Sequence, residues 1–262
     1  MKKITYIALL AGLVGFSSCH KFLEEHPKSE QPVDAYYSTI GQVQSAVNYL
    51  YNAGTGPNNF YSIGNLYDGT YAMTLDNLSG LANNVVAQNP SVRFYASLTM
   101  TGDNQANYVG GIWSAFYSNI AGANTIIEKV GQNQTIDPTA VAPLVATARF
   151  FRAMDYYYLV RLFGAVPLIL QPYENLNNLY APRASLDSIY SAIVADLQWA
   201  VTNGHLADKP MGANNNQVSK GTVAGILAEV QLTMAGYPLQ KGAASYTSAL
   251  QQAQAVINSS GG

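Results

Sequence analysis

The stretch Ser185-Leu-Asp-Ser-Ile-Tyr-Ser-Ala-Ile-Val-Ala-Asp-Leu-Gln-Trp-Ala-Val201 decides the fold class. Leu186, Ile189, Tyr190, Ile193, Val194, Leu197 and Val201 return at intervals of three and four, which lines them along one face of an α-helix and along neither face of a strand. Ser185 stands where an N-cap belongs, and Asn203-Gly204 supplies a stop. Working outward, a second helix is predicted from a Ser219 cap through Val223, Ile226, Leu227, Val230 and Met234, with Ala224, Gly225, Ala228 and Ala235 as small positions that let helices approach. Upstream, Trp113, Phe116, Tyr117, Ile120, Ile127 and Val130 form one stripe. Leu144, Val145, Ala148, Phe151, Tyr156 and Leu159 form another, which Gly164 and Pro167 end. Period-2 runs bounded by hairpin turns are lacking, and Gly/Asn/Pro clusters at 52–59, 89–90, 203–216 and 258–262 separate helical segments. The expected class is all-α: stacked helix pairs with long loops.

On this reading two pairs are complete, 112–163 and 185–235. A last helix is expected near 245–258, carrying Tyr246, Leu250, Ala253, Val256 and Ile257, and it lacks a following partner. Stacked pairs bury their apolar faces against neighbours, so the sequence is expected to continue beyond its closing Ser-Ser-Gly-Gly.

The chain opens with an address. Lys2 and Lys3 precede thirteen apolar or small residues from Ile4 to Phe16, then Ser17, Ser18 and Cys19. Thirteen helical residues span about 20 Å, short of the roughly 30 Å hydrocarbon core, so residues 1–18 read as a secretory signal peptide and not as a membrane span. The sole cysteine at the end of the apolar run resembles a bacterial lipobox, which makes Cys19 the expected lipidation site and the membrane anchor. Residues 19–35, with Pro27 and Pro32 and no periodicity, read as the lipidated Cys and a flexible tether, leaving 36–262 as the helical domain.

Composition narrows the function. Charged residues make up 11% against the usual quarter or so, and the formal charge of −2 becomes −4 once Lys2 and Lys3 are removed. No basic stripe occurs, which argues against a nucleic-acid partner. One cysteine and three scattered histidines give no metal-ligand set, and no cofactor fingerprint is present. No G-x-S-x-G, G-x-x-x-x-G-K-[ST], H-E-x-x-H or G-x-G-x-x-G string occurs, and His205 is the only histidine beyond the tether. Asp68, Asp76 and Asp103 could furnish a carboxylate pair for glycoside hydrolysis, but spacing in sequence gives no separation in space. A binder is expected, with no catalytic residue.

Within the stripes, Asn124 falls on the buried face and is expected to cap a neighbouring loop. Arg152 and Asp155, three apart on an aromatic-rich helix, permit an ion pair on one face, read either as a structural tie from helix to loop or as an anion clamp.

The run Ala148-Arg-Phe-Phe-Arg-Ala-Met-Asp-Tyr-Tyr-Tyr-Leu-Val-Arg-Leu-Phe-Gly-Ala-Val-Pro-Leu168 resembles the central motif of the SusD/RagB family of outer-membrane nutrient-binding lipoproteins. Three further matches follow the family order: Trp113-x-x-x-Tyr117-x-x-Ile120-x-x-x-Asn124, Arg183-x-Ser185-x-x-x-Ile189-Tyr190 with Asp196-Leu197, and Ser219-Lys-Gly-Thr-Val-Ala. Ala195 departs from the acidic residue that usually precedes the Asp-Leu pair. The resemblance implies a tetratricopeptide-like helical domain, lipid-anchored on a Bacteroidetes-type outer membrane and facing the cell exterior. There it would cap a TonB-dependent transporter barrel and deliver oligosaccharide, or in some members peptides. It also implies that residues 36–262 are the N-terminal part of a domain whose C-terminal half is absent. Trp113, Asn124, Arg152, Asp155, Gly164 and Pro167 are scaffold positions of these motifs.

Sugars bind through aromatic faces against their C–H patches and through amide or charged groups on their hydroxyls. The stretch from Asn83 to Asn107, read as non-helical, concentrates such groups, and Asn83, Asn84, Arg93, Phe94, Tyr95, Asp103 and Asn104 are the expected ligand contacts. Rival readings are an α-helical glycan-degrading enzyme and a free-standing helical-repeat scaffold.

Overall fold

The computed structural model describes residues 36–52, 76–82, 90–133, 135–173 and 180–259. The elements that follow all lie in one unit, Tyr37–Gly262. They are α1 (Ile40–Asn52), α2 (Pro90–Ala96), α3 (Gly102–Gln132), α4 (Pro138–Phe163), α5 (Leu186–Asn203), α6 (Lys220–Ala235) and α7 (Ala243–Ile257). The all-α class holds: among the described residues the one extended pairing is an antiparallel bridge between Pro167 and Arg183.

Local chemistry sets the helix ends. Ser185 Oγ accepts the Ser188 N–H at 3.1 Å and Ser219 Oγ the Thr222 N–H at 3.3 Å, as the two N-cap assignments require. Asp137 caps α4 through the Thr139 N–H at 2.9 Å, with Pro138 in the first turn, where its missing N–H costs nothing. At the other end Gly164, at φ +70°, turns the chain out of α4 in a conformation that disfavours a Cβ.

Packing runs in chain order. α3 lies on α4, α4 on α5, α5 on α6 and α6 on α7, while α1 covers both α3 and α4. The main core joins Phe116 and Ile120 of α3, Phe150, Tyr156 and Leu159 of α4, Ile189, Ile193 and Leu197 of α5, and Val223 and Leu227 of α6. A second cluster seats Val43, Val47 and Leu50 of α1 against Ala123 and Ile126 of α3 and Leu144 of α4. The main core uses the stripes that the three-and-four spacing marked out, whereas the second cluster draws on α1, which that spacing left unmarked.

One expectation is corrected. The segment 83–107 is not non-helical throughout, because α2 occupies Pro90–Ala96 and α3 already begins at Gly102. The start of α3 is a capping box in which Thr101 Oγ1 accepts the Asn104 N–H at 3.2 Å while Asn104 Oδ1 accepts the Thr101 N–H at 2.9 Å. Asn stands there in place of the usual Glu or Gln, which hides the signal. The last helix, α7, packs back on α6 with Ala249 buried, while Tyr246, Leu250 and Ile257 of its expected stripe are exposed. Gly204 ends α5 as expected, its N–H reaching the Ala200 carbonyl at 3.2 Å, with φ −78°. A Cβ there would lie 2.5 Å from Ala146 Cβ and would also strike the Ala200 carbonyl oxygen, so this glycine serves the close approach of α5 to α4.

Candidate functional site

Beyond Gly164 the chain leaves α4 as an extended loop, and four side chains from α3 and α4 hold it. Tyr117 donates its hydroxyl to the Pro167 carbonyl at 2.7 Å. The Tyr156 hydroxyl donates to the Ile169 carbonyl at 2.8 Å and accepts the Ile169 N–H at 2.6 Å. Asn124 Nδ2 reaches the same carbonyl at 2.9 Å, and Arg152 Nη1 donates to the Leu170 carbonyl at 3.0 Å. Burial raises the pKa of the Tyr117 hydroxyl, helped by Tyr156 and Tyr173 beside it, and pushes that of Tyr156 up to about 12 against its bond to Ile169. Both phenols therefore remain neutral donors at physiological pH. The Ala184 N–H, bonded to the Val166 carbonyl at 2.9 Å, brings 180–184 alongside.

Between this fixed loop and α3 opens a cleft of about 480 Å³. Trp113, Tyr117, Tyr173 and Tyr180 bring four rings to it, and Gln171 adds an amide. Trp113 is itself held by Tyr117 at 4.9 Å and by the edge of Phe163 at 5.1 Å. Tyr173 is 48% exposed and Tyr180 98%, so these two rings present faces to solvent. Among the described residues the lining holds no Asp, Glu, Lys, Arg or His.

Of the six scaffold positions named in the sequence, Trp113, Asn124 and Pro167 line the cleft. Asn124 caps the loop as expected, and its Oδ1 also accepts Arg152 Nη1 at 2.7 Å. Arg152 does not pair with Asp155, and no anion clamp is free. Its Nε and Nη2 meet the two oxygens of Asp196 at 2.7 and 2.8 Å, joined by Arg149 Nη1 at 2.7 Å, because the guanidinium points toward α5. Arg149 also stacks on Trp199 at 4.6 Å. Asp155 instead lies fully buried, accepting Asn119 Nδ2 at 2.9 Å. Burial pushes its carboxyl well above the usual carboxylate range, and that single hydrogen bond only partly opposes the shift.

Of the expected ligand contacts, Asn83 and Asn84 lie outside the described residues. Arg93 and Asp103 are exposed and Phe94 is half-buried, whereas Tyr95 is only 6% exposed and its ring offers no face to a ligand. Asn104 is spent on the capping box and on the Thr99 carbonyl at 3.1 Å. Of the described ones, Arg93, Phe94, Tyr95, Asp103 and Asn104, none lines the cleft. Tyr173, Tyr180 and Gln171 went unnoticed in the sequence, although Gln171-Pro-Tyr-Glu-Asn-Leu-Asn-Asn-Leu-Tyr180 has the same aromatic and amide content as the stretch that was singled out.

Together these features define a helical-repeat scaffold that braces one loop to frame a surface cleft. The chain belongs to the SusD-like family described as "Starch-binding associating with outer membrane", whose model matches residues 21–232. It is 31% identical over 257 residues to SusD-like protein P2 of Formosa agariphila, covering 98% of this chain and 46% of that protein. A SusD superfamily protein from Parabacteroides distasonis superposes with a TM-score of 0.70 at 28% identity, over 83% of this chain and 44% of the other. A laminarin-binding SusD-like protein shares the fold, with a TM-score of 0.60 at 22% identity over 83% of this chain and 41% of its own. The chain spans about half the length of the relatives it matches. The resemblance read from the Ala148–Leu168 run and its companions is thereby borne out, as is the stacked-helix class.

Proposed function

We propose that this chain acts in a cell-surface lipoprotein that captures an oligosaccharide and passes it to a TonB-dependent transporter barrel of the outer membrane. The family match over residues 21–232 carries the reading. It is supported by the low charge of the sequence and by the aromatic and amide groups that the fold leaves open. Arg93, Phe94 and Asp103 on α2 and at the start of α3, with Asn83 and Asn84, stand as one contact set. A peptide ligand remains the alternative within the family. Isothermal titration of the full chain in detergent with maltoheptaose and with laminariheptaose is expected to show saturable heat, and reducing-end assays no product. Heat only with a peptide mixture would move the ligand class, and sustained release of reducing ends would make the protein an enzyme.

Anchoring is a separate expectation. Residues 1–35 lie outside the described part, and among the described residues no helix is long and apolar enough to cross a membrane. The anchor we propose is lipid on Cys19, the sole cysteine, which ends the apolar run from Ile4 to Phe16. Cys19→Ala is expected to move the protein from the outer-membrane fraction to the soluble one and to abolish labelling by palmitate. Unchanged sedimentation and unchanged label would refute the anchor.

A further inference from the structure

The cleft between α3 and the 166–173 loop has a chemistry that the scaffold motifs do not require. A stacked-helix core needs Tyr117 and Trp113 for packing, but it does not need Tyr173 and Tyr180 as exposed rings beside an amide at the same opening. We propose that this cleft is a saccharide site in its own right and that it takes an uncharged pyranose unit. The proposal rests on the reading of the protein as a glycan binder and adds to it a place and a charge class.

Three observations carry it. Sugar rings carry apolar C–H faces that pack on aromatic rings, and here two solvent-facing rings, Tyr173 and Tyr180, stand beside the wall formed by Trp113 and Tyr117. The volume of about 480 Å³ lies inside the roughly 300–1,000 Å³ range of small-ligand pockets. Polar reach comes from the Gln171 amide and the Tyr173 and Tyr180 hydroxyls, which suit hydroxyl groups as both donors and acceptors. The ligand class follows from the neutral groups that the described lining offers. A uronate or sulfate entering the cleft would shed water without meeting a Lys, Arg or His among the described lining residues, whereas a neutral sugar loses only hydroxyl hydration, which the amide and phenols replace. The wall is also pre-set: Pro167, Ile169 and Leu170 are each held through their carbonyls, so little ordering is left to do on binding.

The chain has two tryptophans, Trp113 and Trp199, so Trp199→Phe leaves Trp113 as the sole indole reporter at the cleft. The full chain carrying that change, in detergent, would be titrated with maltoheptaose, laminariheptaose, a xyloglucan oligosaccharide and an oligogalacturonate, following Trp113 emission and heat together. At least one neutral probe is expected to shift the emission saturably and the oligogalacturonate to leave it unmoved. Tyr173→Ala and Tyr180→Ala should each weaken that probe by up to roughly tenfold, the loss of one ring contact. Tyr246→Ala, an exposed ring on α7, should change nothing. Neutral-probe heat that survives both cleft substitutions but vanishes with Arg93→Ala would overturn the cleft and leave the glycan reading standing. Oligogalacturonate binding that depends on Tyr173 would overturn the charge class. A peptide mixture that quenches Trp113 where the sugars do not would assign the cleft to polypeptide and overturn the proposal. No heat with any glycan would overturn both readings.

Discussion

Asp196→Ala is expected to cost about 3–5 kcal/mol of folding stability, the range for breaking a buried ion pair from one side. Arg152 is 5% exposed and Asp196 4%, and their two hydrogen bonds at 2.7 and 2.8 Å form a parallel fork. Removing the carboxylate strands Nε and Nη2 of a guanidinium that cannot lose its proton. The charge stays, and its partner is gone. Arg149 loses the same acceptor while remaining stacked on Trp199, so the damage extends along one turn of α4. For a chain of this size the penalty corresponds to a fall in Tm of roughly 6–10 °C. Urea unfolding of Asp196→Ala, Arg152→Met and the double variant gives the coupling. The double variant should be more stable than the sum of the single losses predicts, since it removes the uncompensated charge. It should still fall short of wild type, because Arg152 Nη1 also serves Asn124 and the Leu170 carbonyl. A loss below about 1 kcal/mol for Asp196→Ala, the range of a surface pair, would show that the fork is solvated and that this account is wrong.

How much of this was legible in the sequence depended on the range of the interaction. The α5 and α6 stripes were readable because a helix with one buried face repeats its apolar residues at its own period, and Ser185 and Ser219 announced themselves as caps. Asn124 was readable too, since an amide in an apolar stripe must find partners. The partner of Arg152 was not. Asp155 lies three residues away and Asp196 forty-four, and only the packing of α4 on α5 makes the distant carboxylate the near one. For the same reason the cleft was missed. Trp113, Pro167, Tyr173 and Tyr180 come from α3 and from two sides of one long connection, which local composition does not bring together. Gly204 shows a subtler limit: a glycine after a helix suggests a backbone turn, whereas this one makes room for Ala146. Tyr95 shows the converse. Composition marked it as a ligand contact, and its position on the inner face of a short helix buried it.

Asp155 gives the other large expected effect, on the dependence of stability on pH. Its carboxyl is fully buried and has one hydrogen-bond donor, Asn119 Nδ2, while Asp155 Oδ1 and Asn119 Oδ1 both lack partners. Burial therefore outweighs the hydrogen bond, and the folded-state pKa stands well above that of the unfolded chain, about 3.9. The sign follows directly. Below pH of about 3.9 the group is protonated in both states and its contribution is fully present. Above that value the unfolded chain releases the proton while the fold retains it, so stability falls by about 1.4 kcal/mol per pH unit until the folded-state pKa is passed. Asp155→Asn removes the titrating group, keeps the shape, and supplies amide hydrogens of its own for the unpartnered Asn119 oxygen. The variant should unfold at a higher urea concentration than wild type at pH 7, and the gap between them should narrow as the pH is lowered toward 5. Every other ionisable group is common to the two proteins, so its contribution cancels in the difference. Parallel curves from pH 5 to pH 8 would mean that Asp155 ionises freely in the fold, and that water or an unrecognised donor reaches its second oxygen.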